Sequence, residues 1–215
     1  MHKVLLFLLT MSTAAPLTGQ ATLKDRLDFG IGFGQVYVTD KPDPIKTSSS
    51  WLGSIWGEYL LPIQGKFSAG IGLDYRQEWI ITNGLFVDDV WSLPAIDGAS
   101  THMRHRQIGL PLSAYLRFGR TDSDQRFGIG YRPNYVVRSV FLYTDLDDNK
   151  EYSVDLGDDA NRLHHELLIS FLIRQTECNS TFPLRSFKML GSFGLDRWQS
   201  NGYRPFTLQL QIGLF

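Results

Sequence analysis

The sequence predicts an all-β fold: an eight-stranded antiparallel transmembrane β-barrel with up-and-down topology. Three observations carry this. Apolar and polar residues alternate with a period of two over eight separate segments, as in strands with one apolar face. The connections run short and long in turn, which gathers tight turns at one end of the strands and long loops at the other. Aromatic residues fall at both ends of the segments on the apolar face, where amphipathic rings meet two bilayer interfaces. Composition agrees, since 13% aromatics and 20 glycines suit strands and tight turns better than helices. A net charge of −1 gives no general attraction to nucleic acid. The single cysteine, Cys178, excludes an intramolecular disulfide and a Cys-rich metal site.

Residues 1–21 read as a secretory signal: MHK is a basic start, VLLFLLTM an apolar run, and STAAPLTGQA supplies small residues for cleavage. Residues 22–215 then form the barrel domain of an outer-membrane protein. No later stretch holds the ~18 apolar residues of a spanning helix.

The first strand, DFGIGFGQVYV, sets Phe29, Ile31, Phe33 and Tyr37 opposite Gly30, Gly32 and Gly34. The second, WLGSIWGEYL (51–60), turns Glu58 to the polar side. KFSAGIGLDYRQEWI sets Phe67, Ile71, Leu73, Tyr75 and Trp79 opposite Gly70, Gly72, Asp74, Arg76 and Glu78. QIGLPLSAYLRF sets Ile108, Leu110, Leu112, Leu116 and Phe118 opposite Gln107, Ser113, Tyr115 and Arg117. RFGIGYRPNYV sets Phe127, Ile129, Tyr131 and Tyr135 opposite Gly128, Gly130, Arg132 and Asn134. HHELLISFLIR turns Leu167, Ile169, Phe171 and Ile173 away from Glu166, Ser170 and Arg174, and FKMLGSFGLD turns Phe187, Met189 and Phe193 away from Lys188 and Ser192. FTLQLQIGLF is the closing strand, which pairs with the first so that no edge remains in lipid. Leu208, Leu210, Ile212 and Leu214 share one phase, and the final Phe215 falls formally on the glutamine phase.

Alternation alone leaves two barrels open, a soluble one with the aromatics inside and a membrane one with them outside. Bulk favours the second. A small eight-stranded barrel has room for little beyond side-chain packing, and the glycines on the polar phase leave space for long charged chains to cross it. The lumen is then expected to hold Glu58, Asp74, Arg76, Glu78, Arg117, Arg132, Arg138, Glu166 and Arg174 as an Arg–carboxylate network, because an unpaired buried charge is costly. Pro111 and Pro133 each lack a ladder donor, so a bulge is expected near each.

Arg104 and Arg106 share the phase of Ile108 and face outward near the outer end of the fourth strand. There long basic chains meet the phosphates of lipopolysaccharide. The long connections 80–102 and 139–162 are the outer loops, and the first carries apolar contact candidates, among them Phe86 and Trp91. A lipid-modifying site would need a histidine, a carboxylate and a hydroxyl in hydrogen-bond reach. His164 and Glu166 share a face, but Ser170 lies roughly 13 Å from Glu166 along the strand. His164, His165 and His102 therefore read as rim residues. DLDDNKE (145–151) has the alternate oxygen ligands of half a calcium loop, yet Lys150 replaces the required Gly and Leu156 the required Glu. It reads as a solvated acidic loop. No cofactor, metal or catalytic residue is expected, and the chain is expected to be a monomer.

RHRQIGLPLSAYLRFG (104–119) resembles a segment of the small outer-membrane β-barrel proteins of Bacteroidetes, in which an aromatic-Leu-Glu-Ile-Pro-Leu-Leu-Leu-Lys-Tyr run marks the fourth strand. Ile108, Pro111, Leu112, Tyr115 and Phe118 keep that order. Gly109, Leu110 and Ala114 depart from it. RFGIGYRPNYVV is similar to the family's next strand, and the terminal Phe is similar to the signal that the outer-membrane assembly machinery reads. The resemblance implies an integral outer-membrane barrel and says little about activity, since the family includes porin-like, adhesive and secretion-associated members, a type IX secretion component of the PorT kind among them.

Overall fold

The computed structural model describes residues 26–39, 46–47, 50–83, 100–118, 123–144, 150–155, 163–175, 184–196 and 204–214. These hold β1 (Leu27–Thr39), β2 (Lys46–Thr47), β3 (Ser50–Gln64), β4 (Phe67–Asn83), β5 (Ser100–Gly109), β6 (Leu112–Phe118), β7 (Ser123–Thr144), β8 (Glu151–Asp155), β9 (Leu163–Gln175), β10 (Leu184–Gly194) and β11 (Arg204–Leu214). Every pairing is antiparallel. The order runs β1, β3, β4, then β5 with β6, then β7, β9, β10 and β11. The last of these returns to β1 over Phe29↔Leu214 to Thr39↔Arg204, so the sheet closes. β5 and β6 are two halves of one stave, both held by β4 and β7. β2 and β8 are short additions on β4 and β7 beyond the ring. The expected eight-stranded antiparallel barrel is the fold observed.

The inner and outer faces follow the sequence phase. Phe29, Ile31, Phe33, Ile55, Leu73, Ile129, Ile169, Met189 and Leu208 are exposed on the outside. In water, side chains of this size would each forgo much of the ~1.5–3 kcal/mol that burial gives. Trp51 stacks on Trp79 at 3.7 Å and lies exposed with Tyr37 and Tyr135 toward the outer end. Phe67, Phe118, Phe127 and Phe187 are exposed toward the other. Thr207, Gln209 and Gln211 are buried inside. Trp198, the ring of Phe215 and residues 1–21 lie outside the described residues.

Two glycines show why the polar phase needs small residues. The Tyr115 ring lies flat between β4 and β7. A Cβ at Gly70 would come within 2.8 Å of it, and one at Gly128 within 2.5 Å. The β3–β4 turn needs a third, Gly65, at φ 57.

The bulges fall elsewhere than expected. Register runs unbroken past both prolines: Asp74↔Gly109 continues to Ile71↔Leu112, and Tyr135↔Leu163 to Ser123↔Gln175. The cost is met locally instead. Gly72 N–H donates to the Pro111 carbonyl at 2.8 Å, and Leu110 N–H to the Pro133 carbonyl at 3.0 Å. Each bond is one half of a pair whose other donor the proline lacks. The register shift lies between Arg106↔Arg138 and Gln107↔Val136, so Val137 is the extra residue in β7. Two further shifts lie between Pro62 and Gln64, beside the β3–β4 turn, and between Leu184 and Ser186 at the start of β10.

Candidate functional site

The charged inner face is the most distinctive feature of the chain, and strand pairing positions it. Arg76 and Glu78 alternate on β4, Arg132 rises from β7, and Glu166 lies directly across from Arg132 on β9. Arg76 Nη2 lies 2.7 Å from Glu166 Oε1, and Arg76 Nε 2.9 Å from Glu78 Oε1. Arg132 Nη1 lies 2.6 Å from Asp74 Oδ2, and its Nε and Nη2 donate to Glu166 Oε2. Two planar guanidinium forks thus share one carboxylate, Arg132 from the neighbouring strand and Arg76 from a strand 90 positions away in the chain. Charge-assisted forks of this kind are short and geometrically specific. All five side chains are buried.

A second group lies toward the end of the barrel that holds the β3–β4 turn. Lys188 Nζ is 2.8 Å from Glu58 Oε2, and the Tyr115 hydroxyl donates to Glu58 at 2.8 Å. The ammonium stands 5.8 Å from the Trp56 ring and 5.6 Å from the Tyr115 ring, so it is held by both charge and π-faces. Leu60, Tyr115 and Leu172 pack together around this group. At the mouth, Arg174 Nε is 3.1 Å and Arg185 Nε 3.7 Å from Asp28. Lys188, Tyr115 and Asp28 also line the lumen but were not among its expected charged members. Lys188 and Asp28 do carry the inward phase in the sequence.

Two expected members stand apart. Arg117 keeps the inward parity, but it is next to last in β6 and its side chain is 45% exposed, paired with Asp124 at 3.3 Å. Arg138 also has the inward parity below the bulge, and the extra residue Val137 turns it out. It is 55% exposed and meets Asp155 of β8 at 3.1 Å.

The outer end of the lumen holds a further surprise. The inverted phase above Val137 turns Ser139 and Phe141 inward. Ile80, Met103 and Phe141 face one another across β4, β5 and β7 and are fully buried, an apolar row beyond the ionic one. Between the two rows, His105 Nδ1 lies 2.8 Å from Ser139 Oγ, with Glu78 directly across from His105. That imidazole is not one of the rim histidines singled out by sequence, and the pair is buried inside the wall, out of a lipid's reach from the outer face. His164 is buried near this group, whereas His165 points outward, hydrogen-bonded and stacked to Tyr131. Among the described residues, no group of three or more His, Cys, Asp or Glu is placed to hold a metal ion. Phe86, Trp91 and Asp145–Asn149 lie outside the described residues.

Arg104 and Arg106 point outward. They line a shallow cleft with Arg138 and Val140.

No protein-family model matches the sequence, and no curated protein matches it. Among solved structures the chain is similar to Ail, the attachment invasion locus protein of Yersinia pestis. Identity is 13% and the TM-score 0.41, over 88% of this chain and 97% of that one. It is similar to Ail in complex with the heparin analogue sucrose octasulfate at 11% identity and TM-score 0.40, with the same coverage. A triple mutant of Rhodopseudomonas blastica porin is 8% identical, with a TM-score of 0.16, over 87% of this chain and 99% of that one. At these scores the likenesses carry no argument, and the barrel rests on its own strand pairing.

Proposed function

We propose that the protein is an integral outer-membrane β-barrel, exported through a cleaved signal at 1–21, with a lumen closed by its own charges. It has no enzymatic role. It is a rigid stave set that carries outer loops for surface contact, including the segment with Phe86 and Trp91. The single observation that supports this is the inversion of its faces, with an apolar belt outside and the Arg76–Glu166–Arg132 junction spanning the inside. A porin needs an open aqueous path; the forks that meet inside the barrel and the buried row of Ile80, Met103 and Phe141 support a closed one instead. Its partners are outer-membrane lipid with lipopolysaccharide and the barrel-assembly machinery, and it acts as a monomer. The finer kinship to the Bacteroidetes barrels, and a place in type IX secretion, rests on residues 104–119 and 126–137 alone.

Two measurements test this reading. Fractionation places the protein in the outer membrane, and recovery in the soluble periplasm would sink the proposal. In planar bilayers the unmodified protein gives no single-channel steps. Steady conductance would replace the plug with a pore.

A further inference from the structure

Resting on the membrane reading above, we propose that the outward cleft of Arg104, Arg106 and Arg138 binds the phosphate monoester of an outer-leaflet glycolipid. Asp155 competes for one of its three arms.

The bulge at Val137 builds the cleft. It places Arg138 outside, directly opposite Arg106, while Arg104 stands opposite Val140. Side chains directly opposite on neighbouring strands have Cβ atoms about 5 Å apart, and like charges there repel. A chain that sets two guanidinium groups in this position gains when an anion sits between them. Arg104 Nε and Arg106 Nε are withdrawn from solvent with no hydrogen-bond partner. The carboxylate at hand is Asp155, half-exposed and on the short outer strand β8.

The surroundings say which anion. Arg104 lies directly across from Trp79, which stacks on Trp51, so the cleft is level with the outer aromatic girdle. Below it, the same outward phase of the stave runs on through Ile108, Leu110 and Leu112, all exposed. A charged head above and an apolar track beneath complement an amphiphile with a phosphate on its headgroup. A free phosphate would use only the head of this surface. Guanidinium forks take a phosphate through two parallel N–H···O bonds, which a lysine cannot reproduce.

The test uses the full mature protein in nanodiscs of zwitterionic lipid doped with phosphorylated or with dephosphorylated lipid A. Bound lipid is counted by native mass spectrometry, and heat-modifiable migration on gels confirms that each variant is folded. The phosphorylated form is retained on the order of tenfold better. Arg138→Ala removes most of that preference, Arg138→Lys restores only part of it, and Asp155→Ala increases retention. Equal retention of the two lipids, or an Arg138→Ala variant that is folded and unchanged, would overturn the proposal. Displacement of the lipid by inorganic phosphate would overturn the assignment to a lipid headgroup. Failure of the protein to enter nanodiscs at all would instead fail the membrane reading.

Discussion

The lower and upper parts of β7 treat the same residue type in opposite ways. Arg132 and Arg138 are six positions apart, so an unbroken strand would turn both to one side. Arg132 is fully buried between Asp74 and Glu166, and Arg138 is 55% exposed beside Asp155. One extra residue, Val137, separates the two fates. Below it even-numbered residues face the lumen; above it odd-numbered ones do. A bulge in a barrel is therefore more than an irregularity in the ladder. It exports one charge to the surface and draws Phe141 inside, which ends the ionic core and begins the apolar row.

The sharpest test of that contrast is Arg132→Ala. It leaves Asp74 and Glu166 without their fork in a water-poor interior, and loss of one partner of a buried pair costs about 3–5 kcal/mol. Urea unfolding in lipid vesicles should show it, and a loss below about 1 kcal/mol would mean the network is solvated. Next is Gly128→Val, beneath the bulge, where the Tyr115 ring leaves no room for a side chain. Overpacking of this kind costs about 1–3 kcal/mol by the same measurement, and a neutral result would show that the ring is free to move. Deletion of Val137 probes the bulge itself. Removing one residue from a regular strand reverses every side chain beyond it, but here it restores regular pairing and keeps Arg138 outside and Ser139 inside. The expected cost is on the order of 1 kcal/mol, with unchanged heat-modifiable migration, whereas deletion of Ile129 should abolish the folded band. The smallest effects belong to the exposed arginines. Arg138→Ala removes a solvent-exposed ion pair, and Arg117→Ala the exposed partner of an Asp124 that keeps Arg126, each worth about 0–1 kcal/mol. If Arg138→Ala destabilised as much as Arg132→Ala, the inside–outside contrast would be wrong.

Particular residues show how far the sequence could be read. Strict alternation in KFSAGIGLDYRQEWI and FTLQLQIGLF places Glu78, Arg76, Gln209 and Gln211 on one face without any coordinates, because a strand has only two sides. The glycines on that face indicated that it was the crowded one. The prolines misled, since a missing N–H can be absorbed by a single unpaired carbonyl acceptor without a change of register. Val137 carries no signal, because nothing in RPNYVVRSVF distinguishes an extra residue from a regular one. Lys188 carried the inward phase, but only the cross-barrel approach of Glu58 showed it to be part of a network.

By itself, the sequence determined the fold class, the phase of nearly every strand and the sign of the charges turned inward. These follow from a local period of two and from the volume a small lumen can hold. Tertiary structure alone decided which arginine meets which carboxylate, where the ladder takes its extra residue, and that Arg138 leaves the lumen to stand opposite Arg106. Those depend on register between strands far apart in the chain, and register is a property of closure that no single segment contains.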